Sequence, residues 1–352
     1  MVVSKHYKPK NSLMSPHFSG VKTFMRMELV EDESVLDDVD FAVLGIPFDT
    51  CATFRVGCRQ GPASIREMSA LAAKPYSGPL GVDIFEECSG VDYGDLGSVP
   101  GYVEDSFDVI KKGMLPIFQK GVVPVAMGGD HSVTLPELRA CAEVNGPVAL
   151  IHFDAHYDTI DKYFGKDYTH GTPFYHAAKE GLVDTSKSIQ VGIREGLYGP
   201  EDLTRSSDLG YAAIKADEHH KIGNEAVIER IIERVGDAKA FLTFDIDYLD
   251  PACAPGTGTP VPGGFTTADA EVIVLVQDCT DDTCMFAPGF ATMFGKPTVG
   301  LVSKVDIAES EEAIEQAREK LELAGCDRIF YISNKDRRGV DDVKAYIGLS
   351  EE

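Results

Sequence analysis

With 352 residues, 43% of them hydrophobic and 26% charged, the chain has the balance of a globular protein and can bury one large core or two moderate ones. A formal net charge of −24 argues against a nucleic-acid partner and suits a small cationic ligand. No apolar run reaches the roughly 18–20 residues of a membrane-spanning helix, and the opening MVVSKHYKPK lacks a signal-peptide core, so the expected setting is the cytoplasm with no membrane partner.

Residues 1 to about 40 are polar and irregular, and FAVLGIPFD (41–49) is the first apolar run. The pattern returns in VVPVAMGGD (122–130), PVALIHFDA (147–155), SIQVGIR (188–194) and KAFLTFDID (239–247), with helical segments such as EDSFDVIKKGMLPIFQK and EAVIERIIERV between them. Continuous rather than alternating apolar strands interleaved with helices predict an α/β fold whose parallel sheet is covered by helices on both faces. A second passage of this type holds EVIVLVQD (271–278), KPTVGLVSKVD (296–306) and DRIFYISN (327–334), with helices expected in SEEAIEQAREKLELAG, closed by a glycine C-cap, and in GVDDVKAYIG. The eight cysteines are scattered with no CxxC pair and read as reduced thiols.

Three strands of the first passage end in metal-ligand residue types, and the carboxyl ends of parallel strands are where such a fold binds ligands. GGDH (128–131) presents His131 after two glycines that allow a sharp turn. In DAHYD (154–158), residues two apart on an extended segment share a side, so Asp154, His156 and Asp158 face one point. DID (245–247) does the same for Asp245 and Asp247. Four carboxylates and two imidazoles exceed what one tetrahedral zinc uses and suit two divalent ions, with Mn²⁺ matching mixed oxygen and imidazole ligation. Two such ions hold a hydroxide at neutral pH and polarise the group it attacks, and the sequence has no GxSxG nucleophile elbow to offer another route.

In their order and separation these motifs resemble the ureohydrolases, the family of arginase and agmatinase. The resemblance runs over about residues 18–268 and includes FSGVKTFMR (18–26), GIPFDTCATFRVGCRQGPASIRE (45–67), HGTPFYHAAKEG (170–181), GIREGLYGPEDL (192–203) and DIDYLDPACAPGTGTPVPGG (245–264). These stretches look more like agmatinase and guanidinobutyrase than arginase. The resemblance implies a three-layer fold in which His131, Asp154, Asp158 and Asp245 bind one Mn²⁺, and Asp154, His156, Asp245 and Asp247 bind the other. It makes His170 a proton shuttle and a catalytic residue beside the bridging Asp154 and Asp245. An imidazole titrating near neutrality suits that task. It also implies a homo-oligomer. Arg55 and Arg59 are expected to hold loops or a subunit contact, and GTGTPVPGG (256–264) to line the mouth of the site.

The resemblance then breaks. Ureohydrolases end a central strand in a glutamate that binds the guanidinium, whereas MFAPGFATMFG (285–295), at the corresponding distance, has no acidic residue and Glu271 comes too early. From about residue 269 the chain is similar instead to the second half of the P-loop NTPases of ethanolamine and propanediol utilisation, with SKVD (303–306) resembling their guanine-reading motif through Lys304 and Asp306. No GxxxxGK[ST] phosphate cradle is present. The expected organisation is a ureohydrolase-like metal-binding unit over 1–268 joined to a partial P-loop NTPase-like α/β segment over 269–352. EVIVLVQD or PTVGLVS is apolar enough to fill the central strand position that the break vacates. The expected activity is Mn²⁺-dependent hydrolysis of a small cationic guanidino compound, agmatine to putrescine and urea, weakened by the missing glutamate. The alternatives are a metal-binding protein without turnover and a guanine-nucleotide-binding module fused to a degenerate hydrolase.

Overall fold

The computed structural model describes residues 7–77, 82–267, 273–278, 298–303, 305, 308, 310–323, 326 and 328–333. In chain order the elements are β1 (Phe41–Gly45), α1 (Gly61–Ala72), β2 (Tyr76–Ser77), β3 (Val82–Asp83), α2 (Ile84–Glu87), β4 (Gly90–Asp95), α3 (Val103–Gln119), β5 (Val123–Met127), α4 (Thr134–Asn145) and β6 (Ala149–Phe153). They continue with α5 (Pro173–Lys179), β7 (Ile189–Ile193), α6 (Asp202–Asp208), β8 (Ala212–Lys215), α7 (Ala216–Val235) and β9 (Ala240–Phe244), then β10 (Ile273–Asp278), β11 (Thr298–Ser303), α8 (Glu311–Leu323) and β12 (Arg328–Tyr331).

The strands form parallel sheets in the orders β4-β1-β5, β8-β7-β6-β9 and β10-β11-β12, beside the antiparallel β2-β3 pair. β1 shows why its sequence is uniformly apolar: Ala42 and Leu44 enter a core with Phe107, Ile110 and Met114 of α3, while Phe41 and Val43 pack on the opposite face with Phe85 and Met27. Alternate residues thus serve helical or loop layers on both sides, and burying each large side chain there contributes about 1.5–3 kcal/mol. α7 starts earlier than its apolar pattern suggests, at Ala216, and breaks at Gly223, whose φ of 78° no α-helix accommodates. Among the described residues no helix is long and apolar enough to cross a membrane.

The apolar composition of the C-terminal strands allows one of them to fill the central position, but among the described residues none does. β10 pairs with β11 and β11 with β12, and α8 packs on this sheet through Ala317 and Leu321 against Val302. Among the described residues β5 and β9 therefore remain the edges of two separate parallel sheets. The His131 ring, just beyond β5, touches Thr243 Oγ1 of β9 at 2.9 Å, so these edges flank one another. On β9 Leu242 and Phe244 are 49% and 43% exposed, unlike the buried residues of β1 and β7. The helix expected over 339–348, the glycine cap at Gly325, Glu271, residues 285–295, Lys304 and Asp306 lie outside the described residues.

One buried ion pair ties the first helix to the first sheet. Arg66 of α1 donates from Nε to Asp92 Oδ2 at 2.8 Å, from Nη2 to Asp92 Oδ1 at 2.9 Å and to Gly94 O at 2.8 Å, and from Nη1 to Asp95 Oδ1 at 2.5 Å. Asp92 is fully buried, so Arg66→Ala leaves an uncompensated charge inside the protein and is expected to destabilise it by about 3–5 kcal/mol, read as a lower urea midpoint.

Candidate metal centre

The six predicted ligands converge at the carboxyl ends of β5, β6 and β9. They do not project from extended strands, as their two-residue spacing predicts. β6 ends at Phe153 and β9 at Phe244, and each ligand run continues as a turn. Each run opens on an aspartate whose carboxylate accepts from the backbone two residues on: Asp130 from Ser132 N at 3.0 Å, Asp154 from His156 N at 2.7 Å and Asp245 from Asp247 N at 2.9 Å. This aspartate turn satisfies a backbone donor that has just left the sheet and swings the next side chains inward. Asp158 has a φ of 51°, a left-handed conformation that aspartate tolerates better than most residues.

The glycine pair also acts differently from the sequence expectation. Neither Gly128 nor Gly129 has a positive φ; Gly129 is needed because a Cβ there meets Phe48 O at 1.7 Å. The same close approach lets Asp130 N donate to Phe48 O at 2.7 Å, which docks the His131 turn on the loop after β1. Gly129→Ala is expected to cost about 1–3 kcal/mol or more through this backbone clash and to weaken metal uptake with it, measured by chemical denaturation and Mn²⁺ titration of the same sample.

His131 Nδ1 carries the geometric signature of the centre. It is buried, lies 2.9 Å from Asp154 Oδ2, 2.9 Å from Asp158 Oδ2 and 3.4 Å from Asp245 Oδ2, and has no hydrogen-bond partner among the described residues. A buried nitrogen aimed at three carboxylates without hydrogen-bond geometry is the arrangement a cation satisfies. Beside it, His156 Nδ1 lies 3.3 Å from Asp154 Oδ1 and 3.2 Å from Asp247 Oδ2. Ligand atoms of His131, His152, Asp154 and Asp158 fall within 4.8 Å of one another, as do those of Asp154, His156 and Asp247, so Asp154 belongs to both groups. The residues present fit a pair of divalent metal ions.

Without metal the cluster holds protons. Burial and the neighbouring Asp154 charge push Asp158 up to about 7, and burial with Asp154 and Asp245 pushes Asp247 up to about 8. Burial disfavours the charged form of His156, but its hydrogen bonds and attraction to Asp154 and Asp247 prevail and raise it to about 12.

His170 sits in the loop before α5, where its Nε2 is 2.6 Å from Thr53 Oγ1. Burial, reinforced by the nearby His156 and His131, lowers it to about 4, so it is neutral at pH 7 and does not titrate near neutrality as the sequence leads one to expect. Arg59 is ion-paired with Asp49, and Arg55 Nη1 reaches Pro255 O at 3.4 Å, so both hold loops. The 256–264 loop does reach the site: Thr259 Oγ1 donates to Asp247 Oδ2 at 3.3 Å, while Arg194 donates to Asp247 O at 2.5 Å and Val261 O at 2.9 Å.

His152 is the one residue in these groups that sequence reasoning passed over. It is fully buried on β6 and its Nε2 is 2.7 Å from Asp154 Oδ2. Its place two residues before Asp154 and four before His156 was the available signal.

Comparison with known proteins agrees with this geometry. The arginase family model matches residues 39–285, and the ethanolamine utilisation–propanediol utilisation (PduV-EutP) family model matches residues 264–349. The chain is 38% identical over 273 residues to a guanidinopropionase from Pseudomonas aeruginosa, covering 76% of this chain and 83% of that protein. It is 44% identical over 269 residues to an agmatinase from Chromobacterium violaceum, covering 73% and 77% respectively. Among solved structures it resembles proclavaminate amidino hydrolase from Streptomyces clavuligerus, with a TM-score of 0.68 at 30% identity over 88% of this chain and 97% of that one. A hypothetical agmatinase from Burkholderia thailandensis gives a TM-score of 0.66 at 36% identity over 88% and 90%. With the ligand turns, the parallel α/β sheets and these relatives in agreement, the chain belongs to the arginase family, and its C-terminal part matches the PduV-EutP family.

Proposed function

We propose that this chain is a Mn²⁺-dependent amidinohydrolase that releases urea from a small cationic guanidino compound, with agmatine as the first substrate to test. The observation that carries the proposal is the buried, unpartnered His131 Nδ1 converging with Asp154, Asp158 and Asp245, next to the His156–Asp154–Asp247 group. In this reading His131, Asp154, Asp158 and Asp245 hold one ion, and Asp154, His156, Asp245 and Asp247 hold the other. A bound pair of divalent ions supplies Lewis acidity that activates water at neutral pH and polarises a guanidinium carbon. Asp154 and Asp245 would each contribute to both positions. His170, neutral and held by Thr53, accepts a proton from the attacking water and returns it to the leaving amine. The net charge of −24 draws a cationic substrate towards the protein.

Relatives that include a guanidinopropionase, a guanidinobutyrase and agmatinases leave the side chain beyond the guanidinium as the point of choice. Neither residues 285–295 nor the described site offers the family's glutamate, so substrate binding is weak and KM high. The same absence favours a second reading, a metal-binding protein without turnover. Urea release from agmatine, guanidinobutyrate and guanidinopropionate with added Mn²⁺, measured beside an Asp247→Ala variant, separates the two. Release from the parent chain alone supports the enzyme; equal signals from both proteins sink it. We also propose a homo-oligomer in the cytoplasm, supported by the exposed apolar residues Phe54, Val56, Met68 and Leu71, and a light-scattering mass equal to one chain would contradict the assembly.

A further inference from the structure

A buried chain of polar side chains runs from α6 through β7 and β6 to the metal centre, and its atoms fix its proton positions. Gln190 of β7 lies directly opposite His152 of β6 in the parallel register, and Gln190, His152 and Asp154 are each fully buried. One terminal atom of the Gln190 amide is 2.7 Å from the Tyr157 carbonyl oxygen and 2.8 Å from His152 Nδ1. Only the amide nitrogen can face a carbonyl oxygen, so this atom is Nε2 and its other N–H points at the imidazole. On the amide's far side the Ser206 hydroxyl of α6 donates to Gln190 Oε1. His152 Nδ1 therefore accepts, and a ring that accepts at Nδ1 carries its single proton on Nε2. That N–H donates to Asp154 Oδ2 at 2.7 Å. The Phe174 ring, 4.3 Å away, closes off the ring face.

We infer that Ser206, Gln190 and His152 form a positioning relay that holds the Asp154 carboxylate in the orientation required to join the two metal positions. His152 lies among the potential ligands, yet both of its ring nitrogens are engaged, Nδ1 by the amide and Nε2 by the carboxylate. It is a positioning residue and not a ligand. Asp154 Oδ2 receives the His152 N–H while facing His131 Nδ1 at 2.9 Å, and Asp154 Oδ1 receives the His156 backbone N–H. Two donors from different elements thus fix the plane of a carboxylate that must serve two ions. Outer partners of this kind typically set metal affinity by 10–100-fold, because a ligand free to rotate loses entropy on binding.

The functional consequence rests on the metal reading above; the tautomer does not. The test therefore has two arms. In the first, the metal-free parent chain labelled with ¹⁵N-histidine is examined by long-range ¹H–¹⁵N correlation, with His152→Gln assigning the signal. A neutral His152 protonated on Nε2 is expected, and a proton on Nδ1 or an imidazolium overturns the relay whatever the metals do. In the second arm, Mn²⁺ affinity is measured by competition with a chelator. His152→Phe, which keeps the ring volume but removes the donor, is expected to weaken Mn²⁺ binding by 10–100-fold, and His152→Gln, which retains an N–H near the Nε2 position, to recover most of that loss. Gln190→Leu is expected to release the tautomer and weaken binding in the same direction. Parent-like Mn²⁺ affinity in a folded His152→Phe protein overturns the positioning role. Failure of the parent chain to bind Mn²⁺ at all sinks the metal reading instead and leaves the tautomer result standing.

Discussion

Replacing Asp154 by alanine is expected to lower kcat for urea release by on the order of 10³-fold or more, equivalent to about 4 kcal/mol at the barrier. Asp154 is the carboxylate that both ligand groups share, and nothing else in the site approaches His131 Nδ1, His152 Nε2 and the His156 backbone together, at 2.9, 2.7 and 2.7 Å. Its loss removes a ligand from both positions and leaves buried donors facing one another. Asp154→Asn separates charge from shape. The amide fills the same volume, but its N–H₂ must face either the ring N–H of His152 beside His131, at the Oδ2 position, or the His156 backbone N–H, at the Oδ1 position, so metal content measured by elemental analysis should fall almost as far. An Asp154→Asn protein holding two Mn²⁺ per chain would show that the shared carboxylate is not what joins the positions.

Metal removal is expected to have the second largest effect. An ion that binds only the folded chain, present at about 100 times its Kd, adds about 2.7 kcal/mol, or roughly 5–10 °C in Tm for a unit of this size. The gap between metal-loaded and stripped protein should widen with pH, and the sign follows from the groups involved. Asp158 and Asp247 are raised to about 7 and about 8, and His156 to about 12, so the stripped folded chain binds more protons than the unfolded one from about pH 4 upwards. Stability that is fully present at low pH is then lost as pH rises through 7 and 8, where crowded carboxylates ionise together. Bound Mn²⁺ replaces those protons, so its affinity climbs over the same interval and proton release accompanies uptake. Calorimetric titration at pH 7 in buffers of different ionisation heat measures that release; heats independent of the buffer would contradict it. Scans at pH 6 and pH 8 check the widening.

Much of the site was legible in the sequence because chemistry-bearing residues cluster at the ends of apolar runs. β1, β5, β6, β7 and β9 fall inside the runs that their composition marks, and all six candidate ligand residues follow three of those strands. β4 was not legible: GVDYGD carries Asp92 and Asp95, whose charges look out of place in a sheet until Arg66 of α1 is seen to neutralise them. β8 is only AAIK, too short for periodicity to register. Two-residue spacing places these side chains on extended strands, whereas the chain leaves the strand before Asp154 and Asp245 and aspartate turns do the aiming.

The sequence by itself determined the residue types at the candidate metal centre and the α/β class, because each is a matter of which side chains occur in which order. Tertiary structure alone decided which buried groups meet. Thirty-eight residues separate His152 from Gln190 and sixteen separate Gln190 from Ser206, so only the β6–β7 register and the docking of α6 bring them into one chain of hydrogen bonds. The fate of the central strand was settled the same way. EVIVLVQD and PTVGLVS have the apolar composition for it, but composition does not choose a neighbour, and β10 and β11 find their partner strands in each other and in β12.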